Sequence, residues 1–125
     1  MMEMSWGEVL LNRFVDACLD TFPSVDSFAL RRIFVELLEK ISSNHPSFLE
    51  KLLIDPILQK WFIRAVRYFL IQYFDDLQDL ARSLTILNAP TMSSMTSFSE
   101  FELIAVKLES FVNKLVKFIE KIFIQ

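Results

Sequence analysis

One glycine, Gly7, serves a chain of 125 residues. Sheets reverse through tight turns, and those turns draw on glycine for backbone conformations that other residues adopt only at a cost. A chain with a single glycine and with Leu, Ile and Phe at helical spacing is most simply built from helices. The expected fold class is therefore all-α, a five- to six-helix bundle with a long C-terminal amphipathic helix. The length suits one domain, enough to enclose a single hydrophobic core without disulfides or metals. Within it we expect a main bundle over residues 5–88, a linker over 89–97 and a C-terminal helix over 98–124.

The pattern Ser-x-x-Glu occurs at Ser5–Glu8, Ser47–Glu50 and Ser97–Glu100. A helix start leaves backbone N–H groups without partners. A serine at the cap accepts from the third helical N–H, and a glutamate at that position reaches back to the N–H of the cap. Each of these serines precedes an amphipathic run, so they read as three helix starts. A nucleophilic serine would need a base, and His45, the only histidine, would have to serve all three.

The first helix is expected from about Trp6 to Asp20, with Leu11, Phe14, Val15, Cys18 and Phe22 on one face. Pro23 breaks it. Ser24 then caps a second helix to about Ile41, with Leu30, Ile33, Phe34, Leu37, Leu38 and Ile41 as a continuous stripe. Pro46 ends that helix region, and a short helix follows from Phe48 to Ile54. Asp55 and Pro56 form the next start, as cap and first helical residue. The helix from Pro56 to about Phe74 is apolar nearly all round, which is the pattern of a rod at the centre of a bundle. Its one charged stripe is Lys60, Arg64 and Arg67. Residues 75–87 either form a further helix capped by Asp75 or Asp76 or continue the same one. Asn88 to Ser97 has no periodicity and reads as a linker.

The last helix, Phe98 to about Ile124, carries the clearest pattern. Phe101, Ile104, Leu108, Phe111, Leu115, Phe118 and Ile122 alternate spacings of three and four, a seven-residue repeat. Ala105, Val112 and Ile119 widen the stripe. Lys107, Lys114 and Lys121 recur on one flank, with Glu102, Glu109 and Glu120 on the other. Such a face packs on its own bundle, pairs with another subunit, or lies on a membrane surface. Hydrophobic residues make up 53% of the chain, including 13 Phe. That share exceeds what a small bundle readily hides, and surplus apolar surface marks an interface.

The formal charge of −3 argues against electrostatic binding of nucleic acid. The single Cys18 permits no internal disulfide and fits a reducing compartment, so a cytoplasmic location is expected. MMEMSWGEV lacks the features of a secretory signal. The most apolar stretch, WFIRAVRYFLIQYF, carries Arg64 and Arg67, so no membrane span is expected. One His and one Cys far apart make no metal spacing, and Asp75, Asp76 and Asp79 suit a helix's first turn. Gly7 alone makes no phosphate loop. Cys18 reads as a buried, inert thiol and His45 as a solvated loop residue. Lys60, Arg64 and Arg67 read as an exposed edge paired with neighbouring carboxylates, or else as a site for an acidic partner or phosphates. No catalytic residue, cofactor or metal is expected.

The stretch LLNRFVDACLDTFPSVDSFALRRIF, followed by YFDDLQDLARSLTILNAP, resembles the effector-associated domains of bacterial conflict and signalling systems, small death-fold-like helical adaptors. The features that match are the Phe22-Pro23 turn, the acidic-capped helix from Asp26 to Phe34, the run Leu77, Leu80, Ala81, Arg82, and the end from Asn88 to Pro90. The resemblance covers roughly residues 8–90. It implies a module that recruits an effector through like-with-like helical contacts, and it carries no catalytic residues.

The leading expectation is a non-enzymatic helical protein–protein interaction or adaptor module, a homo-oligomer that associates through apolar helix faces. Its candidate partner-binding residues are Phe101, Ile104, Leu108, Phe111, Leu115, Phe118 and Ile122 with Lys60, Arg64 and Arg67. On this reading Phe111→Glu with Phe118→Glu separates the subunits. The alternative is a membrane-surface or lipid-binding protein using the C-terminal helix. A third reading is a small ligand carrier or enzyme with a Phe-lined cavity.

Overall fold

The structure is a computed structural model, and it describes residues 6–88 and 98–124. The described residues form helices α1 (Trp6–Thr21), α2 (Ser27–Asn44), α3 (Pro46–Ile54), α4 (Pro56–Gln72), α5 (Phe74–Asn88) and α6 (Phe98–Ile119). A π-helical turn, Glu120–Ile124, extends α6. The all-α class is as expected, and residues 56–88 are two helices broken at Tyr73. Ser5, Ser97 and the expected linker 89–97 lie outside the described residues.

Single residues joint the middle of the chain. His45 (φ −142°, ψ 63°) separates α2 from α3, Asp55 (φ −109°, ψ 105°) separates α3 from α4, and Tyr73 (φ −110°, ψ 38°) separates α4 from α5. His45 and Asp55 each precede proline, whose ring disfavours helical geometry in the residue before it. No described residue has positive φ, which is why so little glycine suffices.

The caps fall partly as expected. Asp55 Oδ1 accepts from the N–H of Ile57 (3.0 Å) and of Leu58 (3.2 Å). The cap of α2 is Asp26 rather than Ser24: its carboxylate accepts from the N–H of Phe28. Asp26 also accepts from the Thr85 hydroxyl at 3.0 Å, so the same carboxylate ties α2 to α5, which a serine could not reach as two oxygens. Ser47 lies inside the first turn of α3, because Pro46 already supplies a first helical position and His45 is the capping residue. Asp75 and Asp76 likewise lie inside the first turn of α5, where acids complement the helix dipole.

The central helix is α2, which packs against α1, α3, α5 and α6. It buries Ala29, Leu30, Ile33, Phe34, Leu37 and Ile41. This corrects the expectation for α4. That helix buries Phe62, Val66, Phe69 and Leu70 and turns its other apolar side outward. An all-round apolar helix can fill a centre, but an amphipathic rod ringed by partners does so equally well. Helix α4 also touches four helices, α1, α3, α5 and α6, but it leaves Ile57, Trp61, Tyr68 and Ile71 exposed, whereas α2 has no large apolar side chain exposed.

Phe14, Phe34, Phe48, Phe62 and Phe123 form one aromatic cluster, with ring centroids 5.2 Å apart for Phe14–Phe62, 5.3 Å for Phe14–Phe34, 5.7 Å for Phe48–Phe123 and 6.0 Å for Phe62–Phe123. These separations are those of favourable aromatic pairs. Phe14, Phe34 and Phe62 of this cluster are fully buried in the core.

One buried polar side chain has a backbone task. Pro56 has no N–H to give the Leu52 carbonyl four residues before it. Gln59, 8% exposed, supplies that donor: its Nε2 reaches Leu52 O at 2.8 Å and Leu53 O at 3.3 Å. Its Oε1 accepts from Arg13 Nη1 at 2.9 Å, so both the nitrogen and the oxygen of the amide have partners.

Candidate interaction surface

The outer face of α4 repeats at four and three residues through Ile57, Trp61, Arg64, Tyr68 and Ile71. Ile57 is 69% exposed, Trp61 53%, Tyr68 57% and Ile71 56%. Orientation is fixed from both ends. Asp55 caps the helix, and Phe62, Val66 and Phe69 anchor the inner side, so the outer stripe cannot rotate inward without emptying the core. The Arg64 guanidinium stands 5.2 Å from the centroid of the Trp61 ring, a cation–π geometry. Tyr68 stacks on Phe118 at 6.1 Å.

Beside this stripe the end of α6 and the π-helical turn form one wall of an open groove of about 620 Å³, lined by Trp61, Arg64, Ala65, Tyr68, Phe118, Ile122 and Phe123. Its lining is apolar apart from Arg64 and the Tyr68 hydroxyl. A second open groove, about 590 Å³, lies between α2, α5 and α6 and mixes Arg32, Glu36 and Glu109 with Leu84, Phe101 and Ile104.

Three cations of the bundle outside α4 are paired among the described residues. Lys40 pairs with Glu109 (3.3 Å), Lys107 with Asp79 (3.1 Å) and Arg31 with Glu8 (3.9 Å). Lys60, Arg64 and Arg67 make no ion pair among the described residues, and α4 contains no acidic residue. The expectation that neighbouring carboxylates pair with this stripe is therefore corrected for the described residues.

The α6 stripe divides. Leu108, Phe111 and Leu115 are buried within the chain, with Phe111 edge-on to Phe69 at 5.7 Å. Ile104 and Phe118 are half-buried against the core. Phe101 and Ile122, at the two ends, are exposed. The C-terminal helix thus packs on its own bundle, and of this stripe only the two ends are open to a partner. Phe111→Glu would place a carboxylate in the core, so Phe111 no longer serves as an interface test. The residues missed by sequence reasoning are Ile57, Trp61, Tyr68 and Ile71. Their four-three spacing was the available signal, masked by the apolar side chains on the opposite face.

The groups that could carry chemistry do not converge. Burial pushes the Cys18 thiol up to about 12, against a smaller opposing pull from Arg67, and the thiolate needed for nucleophilic work is suppressed. His45 is not a solvated loop residue. Half-buried at the α2–α3 joint, it places Nε2 2.7 Å from Glu120 Oε2, a single carboxylate. No group of three or more His, Cys, Asp or Glu is placed to hold a metal ion among the described residues. No described helix is long and apolar enough to cross a membrane.

Compared with protein-family models, curated proteins and solved structures, the chain finds no match.

Proposed function

We propose that the chain is a non-enzymatic helical interaction module of adaptor type, self-associating in a reducing, cytoplasmic setting through the exposed face of α4 and the adjoining end of α6. The observation that carries this reading is the stripe Ile57, Trp61, Arg64, Tyr68, Ile71 held outward by a fixed inner face. Trp, Tyr and Arg are the side chains that dominate binding energy at protein interfaces. Each large apolar side chain covered there contributes about 1.5–3 kcal/mol before ordering costs. The resemblance to effector-associated domains is in keeping with this role, since like-with-like helical contacts need such a face.

The test is molar mass by light scattering at tens of micromolar. The wild type is expected above the mass of one chain. Trp61→Glu with Tyr68→Glu is expected to run as a monomer with unchanged helical circular dichroism, because both positions are half exposed. A wild type that is monomeric throughout that range refutes the proposal.

A second reading, attachment to a membrane surface, is favoured by one observation: Lys60, Arg64 and Arg67 accompany Trp61 and Tyr68 on α4, a composition suited to an anionic interface. Using α6 for this would expose Leu108, Phe111, Val112, Leu115, Val116 and Ile119, each at a cost of about 1.5–3 kcal/mol. The membrane reading therefore belongs to α4 and keeps α6 in place.

A further inference from the structure

Resting on the self-association reading, we propose that the groove beside α4 receives the N-terminal half of α6 from a second copy, so that copies join head to tail. The argument starts from charge. The α4 face holds Lys60, Arg64 and Arg67 with no acid on the helix. A two-fold pairing of this face with itself centres Arg64 on Arg64 and sets cations against cations, and like charges brought together at an interface cost several kcal/mol. The face therefore calls for a partner that is apolar and acidic.

The chain carries such a surface elsewhere. Leu103 and Val106 are 58% and 61% exposed on the outer side of α6. Residues 98–110 hold Glu100, Glu102 and Glu109 against one cation, Lys107. Lys107 is engaged by Asp79, and Glu109 by Lys40, while Glu102 is exposed beside Leu103. An apolar ridge flanked by a glutamate complements an apolar groove flanked by arginine. A helix laid in a groove is a common recognition mode, and the groove's concavity suits a helical ridge better than a flat bilayer.

Position decides the geometry. The groove is walled by Phe118 and the turn beyond it, and the ridge is centred on Val106. At 1.5 Å per residue these lie about 18 Å apart along the same rod. Groove and ridge of one copy cannot meet each other, so a contact made once leaves a free groove on one copy and a free ridge on the other. Such a heterologous contact propagates into a ring or an open chain. A wild type of just two chains, each ridge in the other's groove about a two-fold axis, overturns the head-to-tail arrangement.

The experiment uses two variants of the full chain. Trp61→Glu with Tyr68→Glu removes the groove; Leu103→Lys with Val106→Lys removes the ridge. Light scattering is expected to give monomers for each alone and a two-chain complex, no larger, for the equimolar mixture. Wild type is expected to exceed two chains. A ridge variant that associates as wild type does, beside a monomeric groove variant, overturns the head-to-tail arrangement and leaves self-association standing. A monomeric wild type overturns both, including one that pellets with phosphatidylserine–phosphatidylcholine vesicles, which assigns the α4 face to a membrane. If circular dichroism shows either variant unfolded, the charge exchange Arg64→Glu and Glu102→Arg decides. Each alone is expected to weaken association about tenfold, and the two combined in one chain to restore it; absence of restoration overturns the proposal.

Discussion

Replacing Gln59 by Leu tests the account of how α3 and α4 are joined. The substitution keeps a side chain of similar bulk and removes the amide. Leu52 O then has no donor, because Pro56 has none to give and the Gln59 Nε2 bond at 2.8 Å is gone. Leu53 O and Arg13 sit in partly buried surroundings, where water can replace the amide, so their loss adds little. The cost is therefore dominated by one buried carbonyl left unpaired, about 1–3 kcal/mol, reduced somewhat by the apolar burial that Leu adds. With the usual urea dependence of about 1–3 kcal/mol per M, the unfolding midpoint followed by circular dichroism should fall by about 1 M. Arg13→Met removes the donor to Gln59 Oε1 and should cost less than Gln59→Leu, about 1 kcal/mol or below, because that bond is only part-buried and water can take the donor's place. A Gln59→Leu protein as stable as wild type, or more stable, would refute the reasoning that this amide is kept for the carbonyl beneath it.

Two further outcomes follow from named contacts. Asp55→Ala removes the acceptor for the N–H groups of Ile57 and Leu58 and should cost about 1 kcal/mol in chemical denaturation. Cys18 has a folded pKa raised to about 12 from 9.0, so the native state holds its proton more tightly than the unfolded chain. Its contribution is complete below pH 9 and is lost as pH rises toward 12, by about 1.4 kcal/mol per unit in that window. Measured against Cys18→Ala over that window, wild type should lose stability faster. An equal slope for the two proteins contradicts a buried thiol.

Local chemistry was legible in the sequence. Asp55-Pro56 announces a cap and a first helical residue within two positions, and the structure places both there. The apolar stripes of α1, α2 and α6 follow from spacing alone. What sequence could not settle was competition between helices. Ser24 and Asp26 are both acceptable caps, and Asp26 prevails with Thr85 of α5 within its reach. The exposure of Trp61 and Tyr68 is the same kind of problem, since only the choice of α2 as the central rod leaves α4 on the outside. His45 finds Glu120 across a large sequence separation, a meeting that no local pattern records.

The π-helical turn sets an order of events for a chain made from its first residue onward. Phe14, Phe34, Phe48 and Phe62 are all synthesised within the first half of the sequence, yet the ring that sits against both Phe48 and Phe62 belongs to Phe123. A nascent polypeptide that has released α1 to α4 but not this turn carries an unfilled notch in its aromatic centre. Phe123 is itself half-buried, so a chain ended just upstream of it is expected to keep its helices and to lose the one ring that covers Phe48 and Phe62 from that side.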